Sequence, residues 1–329
     1  MKAPKFWRSD RNSSLLPTLL KPVSWIYRGA DRLNRRFQAT RQVGIPVVCV
    51  GNVVAGGAGK TPVAMAIAKF YLSKGLKPHF LSRGYGGTLS GPVRVVLDVH
   101  TYAEVGDEPL LLAEIAPAWI SRDRVQGAEA AQAAGADIII MDDGFQNPSL
   151  HKDMSLLVFD GDFGVGNGNL LPAGPLREPV ESALARAQAV VQVGGSKGSL
   201  AALGIKKDMP FFRTFLVPDP TAKVISSERV VAFAGIGRPE KFYDSLRGSG
   251  CELIESFSFA DHHVYTADEL MKMVERANKL DAALVTTRKD YVRLSGEAKL
   301  MVTVFDIELN VEAPDAFQEF LLSVLPKAP

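Results

Sequence analysis

Apolar residues are distributed along this chain in two rhythms. Short, nearly continuous apolar runs occupy positions 47–50, 79–82, 93–97, 136–141, 156–159, 189–193, 211–217, 230–234, 283–286 and 302–305. Between several of them lie longer segments with helical spacing, such as 63–74, 110–115 and the stretch opened by Thr266. Runs of four to eight apolar residues are expected of strands buried on both faces of a parallel sheet. Their alternation with helical patterns predicts an α/β chain. A glycine- and proline-rich stretch from Gly161 to Pro179 interrupts the pattern, and a loop of that length in a folded domain is usually functional. The pattern also resets at the polar stretch after residue 150, which suggests a division into an N-terminal arm (1–40), a first lobe (41–150) and a second, smaller α/β lobe (151–305) closing a cleft. Residues 306–329 are a candidate to pack back on the first lobe.

The first strand runs straight into chemistry. Val47-Val48-Cys49-Val50 is followed by Gly51-Asn52-Val53-Val54-Ala55-Gly56-Gly57-Ala58-Gly59-Lys60-Thr61-Pro62 and then a helix-forming segment. This is the strand–loop–helix plan of a phosphate-binding P-loop. Gly56, Gly57 and Gly59 allow positive φ, so that backbone N–H groups, including that of Ala58, converge on phosphate oxygens. Lys60 is the candidate for the β- and γ-phosphates and Thr61 for Mg²⁺, while Pro62 sits where a first-turn proline costs no hydrogen bond. The fold class is therefore a P-loop NTPase-type parallel sheet sandwiched by helices. The first glycine of the strict motif is replaced by Val54. The remainder is close to the KGGxGK[ST] loop of partitioning ATPases, whose extra lysine would stand at Ala55. A membrane-targeted ATPase switch of that type is thus a second reading.

Further polar groups follow strand ends. Arg83-Gly84-Tyr85-Gly86-Gly87 follows one, and Asp142-Asp143 closes the apolar run 136–141. An acid at the latter position in P-loop enzymes helps to hold Mg²⁺, although Asp142-Asp143-Gly144 also fits a turn. Asp107 and Glu108 precede a helix and equally suit an N-cap and a first-turn acid. Asp261-His262-His263 is poorly spaced for one metal ion and fits proton handling by an Asp–His pair, or a structural loop. Thr287-Arg288-Lys289-Asp290 resembles the guanine-reading NKxD only superficially, its lysine being displaced by one place, and no GTP is inferred.

Composition adds one asymmetry. The 329 residues are 47% hydrophobic, and two distant cysteines, Cys49 and Cys251, suggest neither a disulfide framework nor a metal site. Residues 1–41 hold ten Lys or Arg against two acids, which leaves the rest at −6 in a chain of net charge +2. The same arm carries an apolar run, 15–27, broken by Pro17, Lys21 and Pro22 and too short to span a bilayer. Trp25 and Tyr27 flanked by basic residues fit an interfacial helix on anionic lipid. Packing on the protein's own core, or a basic arm for nucleic acid, are the alternatives. No series of base-stacking aromatics accompanies the charge, which argues against nucleic acid.

Taken in order, GNVVAGGAGKTP, SRGYGG, GDEP, DIIIMDDGFQN, LLPAGPLREP, FADHH and TTRKD resemble the tetraacyldisaccharide 4'-kinase family, the lipid A 4'-kinases of Gram-negative bacteria. The resemblance runs from the arm to about residue 295. It implies ATP- and Mg²⁺-dependent phosphorylation of the 4'-hydroxyl of a tetraacyl glucosamine disaccharide 1-phosphate, giving lipid IVA. It also implies two α/β lobes joined by a short hinge, and a peripheral enzyme held on the cytoplasmic face of the inner membrane by its N-terminal helix. No obligatory protein partner is implied. Residue by residue, Asp107 resembles the catalytic acid–base group and His262, in preference to His263, the histidine acting with it. Lys60 and Thr61 resemble the phosphate and Mg²⁺ residues, with Asp142 and Asp143 the acidic pair at the metal. Arg83, Tyr85, Glu108, Arg124 (or Arg122), Arg177 and Glu178 resemble residues lining the substrate and nucleotide cleft.

Overall fold

A computed structural model describes residues 4–7, 15–219 and 228–326. Thirteen strands form two sheets among these residues. The strands are β1 (Val47–Gly51), β2 (Pro78–Ser82), β3 (Val93–Arg94), β4 (Ala118–Ile120), β5 (Ile138–Asp142), β6 (Met154–Asp160) and β7 (Ala189–Val193). They continue with β8 (Phe211–Pro218), β9 (Arg229–Ala234), β10 (Glu252–Ser258), β11 (Ala283–Thr287), β12 (Thr303–Phe305) and β13 (Ile307–Val311). The larger sheet has the order β13-β8-β7-β6-β1-β5-β2-β4-β3, and the smaller the order β10-β9-β11-β12. The larger sheet is parallel except at its edges, where β3 and β13 run antiparallel to their neighbours.

The expected boundary at residue 150 is corrected by this topology. β6 pairs with β1 in register Val48–Met154 to Gly51–Leu157, and β7 and β8 extend the same sheet. Every residue of β6 is buried, which a strand achieves only with neighbours on both edges and cover on both faces. The second lobe therefore begins near β9 rather than at 151. The chain leaves the larger sheet after β8 and returns to it at β13, and there the Asp219 N–H donates to the Asp306 carbonyl over 3.0 Å. After that point β13 and the helix Pro314–Leu322 return to the larger sheet. There Phe317 and Leu321 join the core under the helix Lys60–Ser73, and the Tyr71 hydroxyl donates to the Leu321 carbonyl.

Strand order places the site. From β1 the chain moves toward β2, β4 and β5 on one side, then crosses to β6 on the other, so β1 stands at the switch in direction. Ligands of open α/β sheets lie beyond the carboxyl ends of the strands at such a point. The ends of β1, β5, β2 and β6 deliver the glycine loop, Asp142, Arg83 and Asp160 there.

The arm forms a helix, Leu16–Phe37, that rests on the 161–179 loop. The Ser24 hydroxyl donates to the Leu170 carbonyl over 3.0 Å, and the Trp7 indole N–H donates to the Pro172 carbonyl over 3.2 Å. Leu19, Val23 and Ile26, spaced to share one helix face, are 71%, 49% and 73% exposed and point away from the Ser24 side. No helix of the described residues is long and apolar enough to cross a membrane. Lys2, Arg8, Asp10 and Arg11 of the basic arm lie outside the described residues, as do the side chains of Asp31, Arg32, Arg35 and Arg36 and the chain end 327–329.

Candidate active site

The glycine loop enters its helix at Gly59, which takes φ +85° as the residue before Lys60, the first helical position. A side chain is disfavoured in that conformation. The loop's first half is extended instead of glycine-turned. Val54 forms a bridge with Leu176, the Ala55 N–H donates to the Pro175 carbonyl over 2.8 Å, and the Arg177 N–H donates to the Val53 carbonyl over 2.7 Å. This explains why Val54 replaces a glycine: its side chain is buried in the core shared with Leu176. Gly56 and Gly57 then turn with open space beside their Cα atoms.

The two acids at the end of β5 part company. Asp142 is buried. Its Oδ2 accepts from the Thr61 hydroxyl over 3.1 Å, while its Oδ1 has no hydrogen-bond partner. Burial pushes its carboxyl up to about 7, aided by the Glu108 charge and opposed by Lys60. Asp143 adopts φ +52° and turns back to Arg177 (2.8 Å) and Lys60 (3.7 Å). Burial raises its carboxyl, but these two cations outweigh it and hold the group below the usual range. Asp142 and Thr61 thus present one orphaned carboxylate oxygen and a hydroxyl at the helix N-terminus. That donor set suits a hard divalent cation that takes its remaining ligands from phosphate and water.

The GPLREP and DDGFQ stretches interlock. Arg177 reaches both Asp143 and the Gln146 side-chain carbonyl, the latter over 3.3 Å, and the Gln146 amide donates to Asn52 O and to Glu178 Oε1. Glu178 is buried, with its Oε2 on Arg186 at 2.7 Å. Its expected place among cleft-lining groups is corrected accordingly, because both its oxygens brace Gln146 and Arg186. Arg124 likewise is buried, with its guanidinium donating to the Ser121 carbonyl. Burial and the nearby Arg83 charge press its basicity down to about 10. Arg83 and Tyr85 are exposed at the cleft rim.

Asp107 is the first residue of the helix Asp107–Ala113, and Gly106 precedes it at φ +89°. A Cβ on Gly106 would lie 2.5 Å from the Tyr85 carbonyl, so the SRGYGG and GDEP stretches meet backbone to backbone. Asp107 is not an N-cap: its Oδ1 takes the Glu108 N–H over 3.0 Å and its Oδ2 faces His262 Nδ1 at 2.8 Å. His262 belongs to the other lobe, in a loop after β10, and takes φ +59° while its N–H donates to the Gly235 carbonyl. Burial raises the Asp107 carboxyl, but the His262 hydrogen bond and the charges of Lys289 and Arg293 overcome it and hold the group low. His263 is turned away, stacked on Phe259 and bonded to Glu269.

Several groups here carried no assignment in the sequence. Lys289 Nζ lies 3.7 Å from Glu108, 3.7 Å from Asp261 and 4.0 Å from Asp107, and Arg293 Nε lies 3.6 Å from Asp107. On the phosphate-loop side, Arg238 donates to the Gly57 carbonyl over 3.1 Å and pairs with Asp160 at 2.9 Å, and Lys241 shares Asp160 and adds Asp162. Lys289 stands in TTRKD, the one signal that pointed at it. Arg238 and Lys241 are surface-type residues of an ordinary helix start until the lobes are placed together. The two lobes thus meet at opposite ends of the cleft, through Arg238 at the phosphate loop and through His262 at Asp107.

Comparison with known proteins gives the family. Residues 16–326 match the family described as Tetraacyldisaccharide-1-P 4'-kinase (LpxK). A tetraacyldisaccharide 4'-kinase of Rhodospirillum centenum is 50% identical over 99% of this chain and 97% of its own length. One from Paramagnetospirillum magneticum is 49% identical over 95% of this chain and 96% of its own. The crystal structure of LpxK from Aquifex aeolicus in complex with ATP is 27% identical, with TM-score 0.75 over 94% of this chain and 100% of that one. By profile, by identity across nearly its full length and by fold, the chain belongs to the tetraacyldisaccharide-1-P 4'-kinase family.

Proposed function

We propose that this chain transfers the γ-phosphoryl group of ATP to the 4'-hydroxyl of a tetraacylated glucosamine disaccharide 1-phosphate, giving lipid IVA. The observation that carries the site assignment is the Asp107–His262 contact across the cleft, beside a phosphate loop that leads through Gly59 into the helix of Lys60 and Thr61. Phosphoryl transfer asks little covalent chemistry of the protein and much positioning and charge stabilisation. The amides of Gly56 to Thr61 and the Lys60 ammonium group receive the phosphates, with Pro62 in the first helical turn behind them. Thr61 and Asp142 are the groups to hold Mg²⁺, which supplies charge neutralisation to the phosphates when bound, and Asp143 positions Lys60 and Arg177. Asp107 accepts the sugar hydroxyl proton, held in place by His262. Glu108, Arg83, Tyr85 and Arg177 supply polar contacts along the rim, while Arg124 and Glu178 support it from beneath. Incubation with ATP, Mg²⁺ and the acylated disaccharide 1-phosphate is expected to yield a product one phosphate heavier. ATP turnover indifferent to the lipid would favour a nucleotide-driven switch instead.

The acceptor's chains determine where the reaction takes place. Each buried methylene contributes about 0.8 kcal/mol, so a four-chain lipid stays in its bilayer and the enzyme works at the interface. The exposed stripe of Leu19, Val23 and Ile26 is the surface we assign to anionic lipid on the cytoplasmic face of the inner membrane. Burying such side chains is worth roughly 1.5–3 kcal/mol each. Leu19→Glu with Ile26→Glu should therefore reduce co-sedimentation with anionic vesicles by about tenfold or more while leaving the melting temperature unchanged, since both positions are exposed. Unaltered sedimentation would remove the assignment.

A further inference from the structure

An ionised Asp107 only accepts, so the 2.8 Å contact puts a proton on His262 Nδ1; whether Nε2 carries a second one decides what Asp107 can do. A neutral imidazole has one N–H and one acceptor nitrogen, and a lysine ammonium group only donates. Lys289 Nζ stands 3.4 Å from His262 Nε2. That is long for a hydrogen bond, but a positive charge at this distance opposes a proton on Nε2 whatever the bond's strength. The nearest carboxylate oxygen to Nε2 is Asp261 Oδ1 at 3.8 Å, and Lys289 pairs with that carboxylate as well.

We propose that Lys289 is a positioning residue for the Asp107–His262 pair: standing at Nε2, it keeps His262 neutral and commits the single ring proton to Nδ1, which donates it to Asp107 Oδ2. Without Lys289 the imidazole would lie between the carboxylates of Asp107 and Asp261 and take up a second proton. An imidazolium against Asp107 draws electron density from the carboxylate and weakens it as a base. Lys289 prevents that state while itself remaining outside the path of the transferred proton.

The backbone is built to hold Lys289 there. Thr287 caps the short turn Arg288–Tyr291, with its hydroxyl 2.6 Å from Asp290 Oδ2. Asp290 is fully buried, and its Oδ1 accepts from the Gly235 N–H at 2.8 Å, the Tyr265 hydroxyl at 2.6 Å and Arg293 at 2.9 Å. Those bonds tie the turn to the end of β9 and to the loop that bears His262. The TTRKD stretch is thereby explained without any nucleotide base: Asp290 anchors, Thr287 caps, and Lys289 faces the pair. The charged groups around the imidazole come from every element packed on it. They are Asp107 and Glu108 from the helix of the first lobe, Asp261 from its own loop, and Lys289 and Arg293 from the turn after β11, while the Tyr85 ring stands 6.1 Å away. Burial disfavours the Lys289 charge, but the three carboxylates outweigh it and hold the ammonium form.

This inference rests on the roles proposed above for Asp107 and His262, yet its test does not need turnover. Full-length protein labelled with ¹⁵N at its five histidines gives long-range ¹H–¹⁵N correlations that distinguish the Nδ1–H form, the Nε2–H form and the imidazolium. His262 is assigned by the signal lost in His262→Gln. The wild type is expected to show neutral His262 with the proton on Nδ1 at pH 7.5. In Lys289→Met the imidazolium should persist to a pH higher by about one unit or more, and Lys289→Arg should restore the wild-type pattern. The acid limb of kcat/KM should move with the NMR midpoint. A proton on Nε2 in the wild type, or an unchanged His262 titration in folded Lys289→Met, overturns the proposal. Lys289→Gln serves the same comparison if Met at this position lowers the melting temperature. A kinase assay that fails while the tautomer pattern holds would count against the proposed reaction and leave the positioning role standing.

Discussion

Asp107→Asn is expected to lower kcat by about 10²–10⁴-fold, the range for loss of a general base, while KM for ATP changes little. The replacement keeps the size and the helix start but cannot take the hydroxyl proton. Because the interaction is made only as that proton moves, its loss falls on kcat and not on ground-state binding of the nucleotide. The depressed Asp107 carboxyl fixes two further signs. It is ionised throughout the neutral range, so the acid limb of the wild-type profile belongs to another group. A carboxylate held low in the folded state also adds stability above its unfolded value, and that contribution disappears as pH falls through the carboxylate range. Asp107→Asn should therefore melt earlier than the wild type at pH 7, with the gap closing on acidification. Near-wild-type turnover of the folded variant would exclude Asp107 as the base.

The parts of this site that were legible in the sequence are those where one local stretch carries both the fold and the chemistry. A β-branched run into GGAGKT, and another into Asp142-Asp143, announce themselves because a buried parallel strand must be apolar up to the residue that leaves the sheet. What stayed hidden depends on partners far away in the chain. The 161–179 stretch reads only as a long functional loop, with nothing local to say what it touches. In the structure it is a strap across the phosphate loop, with Leu176 on Val54 and Arg177 on Asp143. Glu178 looks like a cleft carboxylate until Arg186 and Gln146 are found on its two oxygens. β4, β10 and β13 escaped notice for a related reason. β4 has three residues, and β10 and β13 lie at sheet edges with half-exposed alternation, so none gives a continuous apolar signal. Asp107 and His262 were visible as candidates, but only the folding of two lobes onto each other puts 2.8 Å between residues 155 positions apart.

Asp142→Asn should move activity and stability in opposite directions. Its carboxylate is buried, with one oxygen bonded to Thr61 and the other without a partner. A charge held in that way is costly to the fold, and its carboxyl is accordingly raised to about 7, chiefly by burial. The sign follows from linkage. A carboxyl raised in the folded state favours folding while it is protonated, and that advantage is lost as pH climbs from the ordinary carboxylate range through about 7. In protein freed of divalent ions with chelator, Asp142→Asn should therefore melt higher than the wild type at pH 8. The scale is about 2–4 °C per kcal/mol for a domain of this size, and the gain should shrink toward pH 5. Added Mg²⁺ should raise the wild-type melting temperature at pH 8 and leave the variant nearly unmoved, since only the carboxylate binds a hard cation strongly. Turnover should fall by about 10²–10³-fold, the usual cost of losing one preorganised electrostatic contact to developing charge. An Asn variant that is both less stable without metal and still responsive to Mg²⁺ would place the ion elsewhere. The opposite result would identify Asp142 as a residue whose destabilising charge is kept because the phosphate loop requires it.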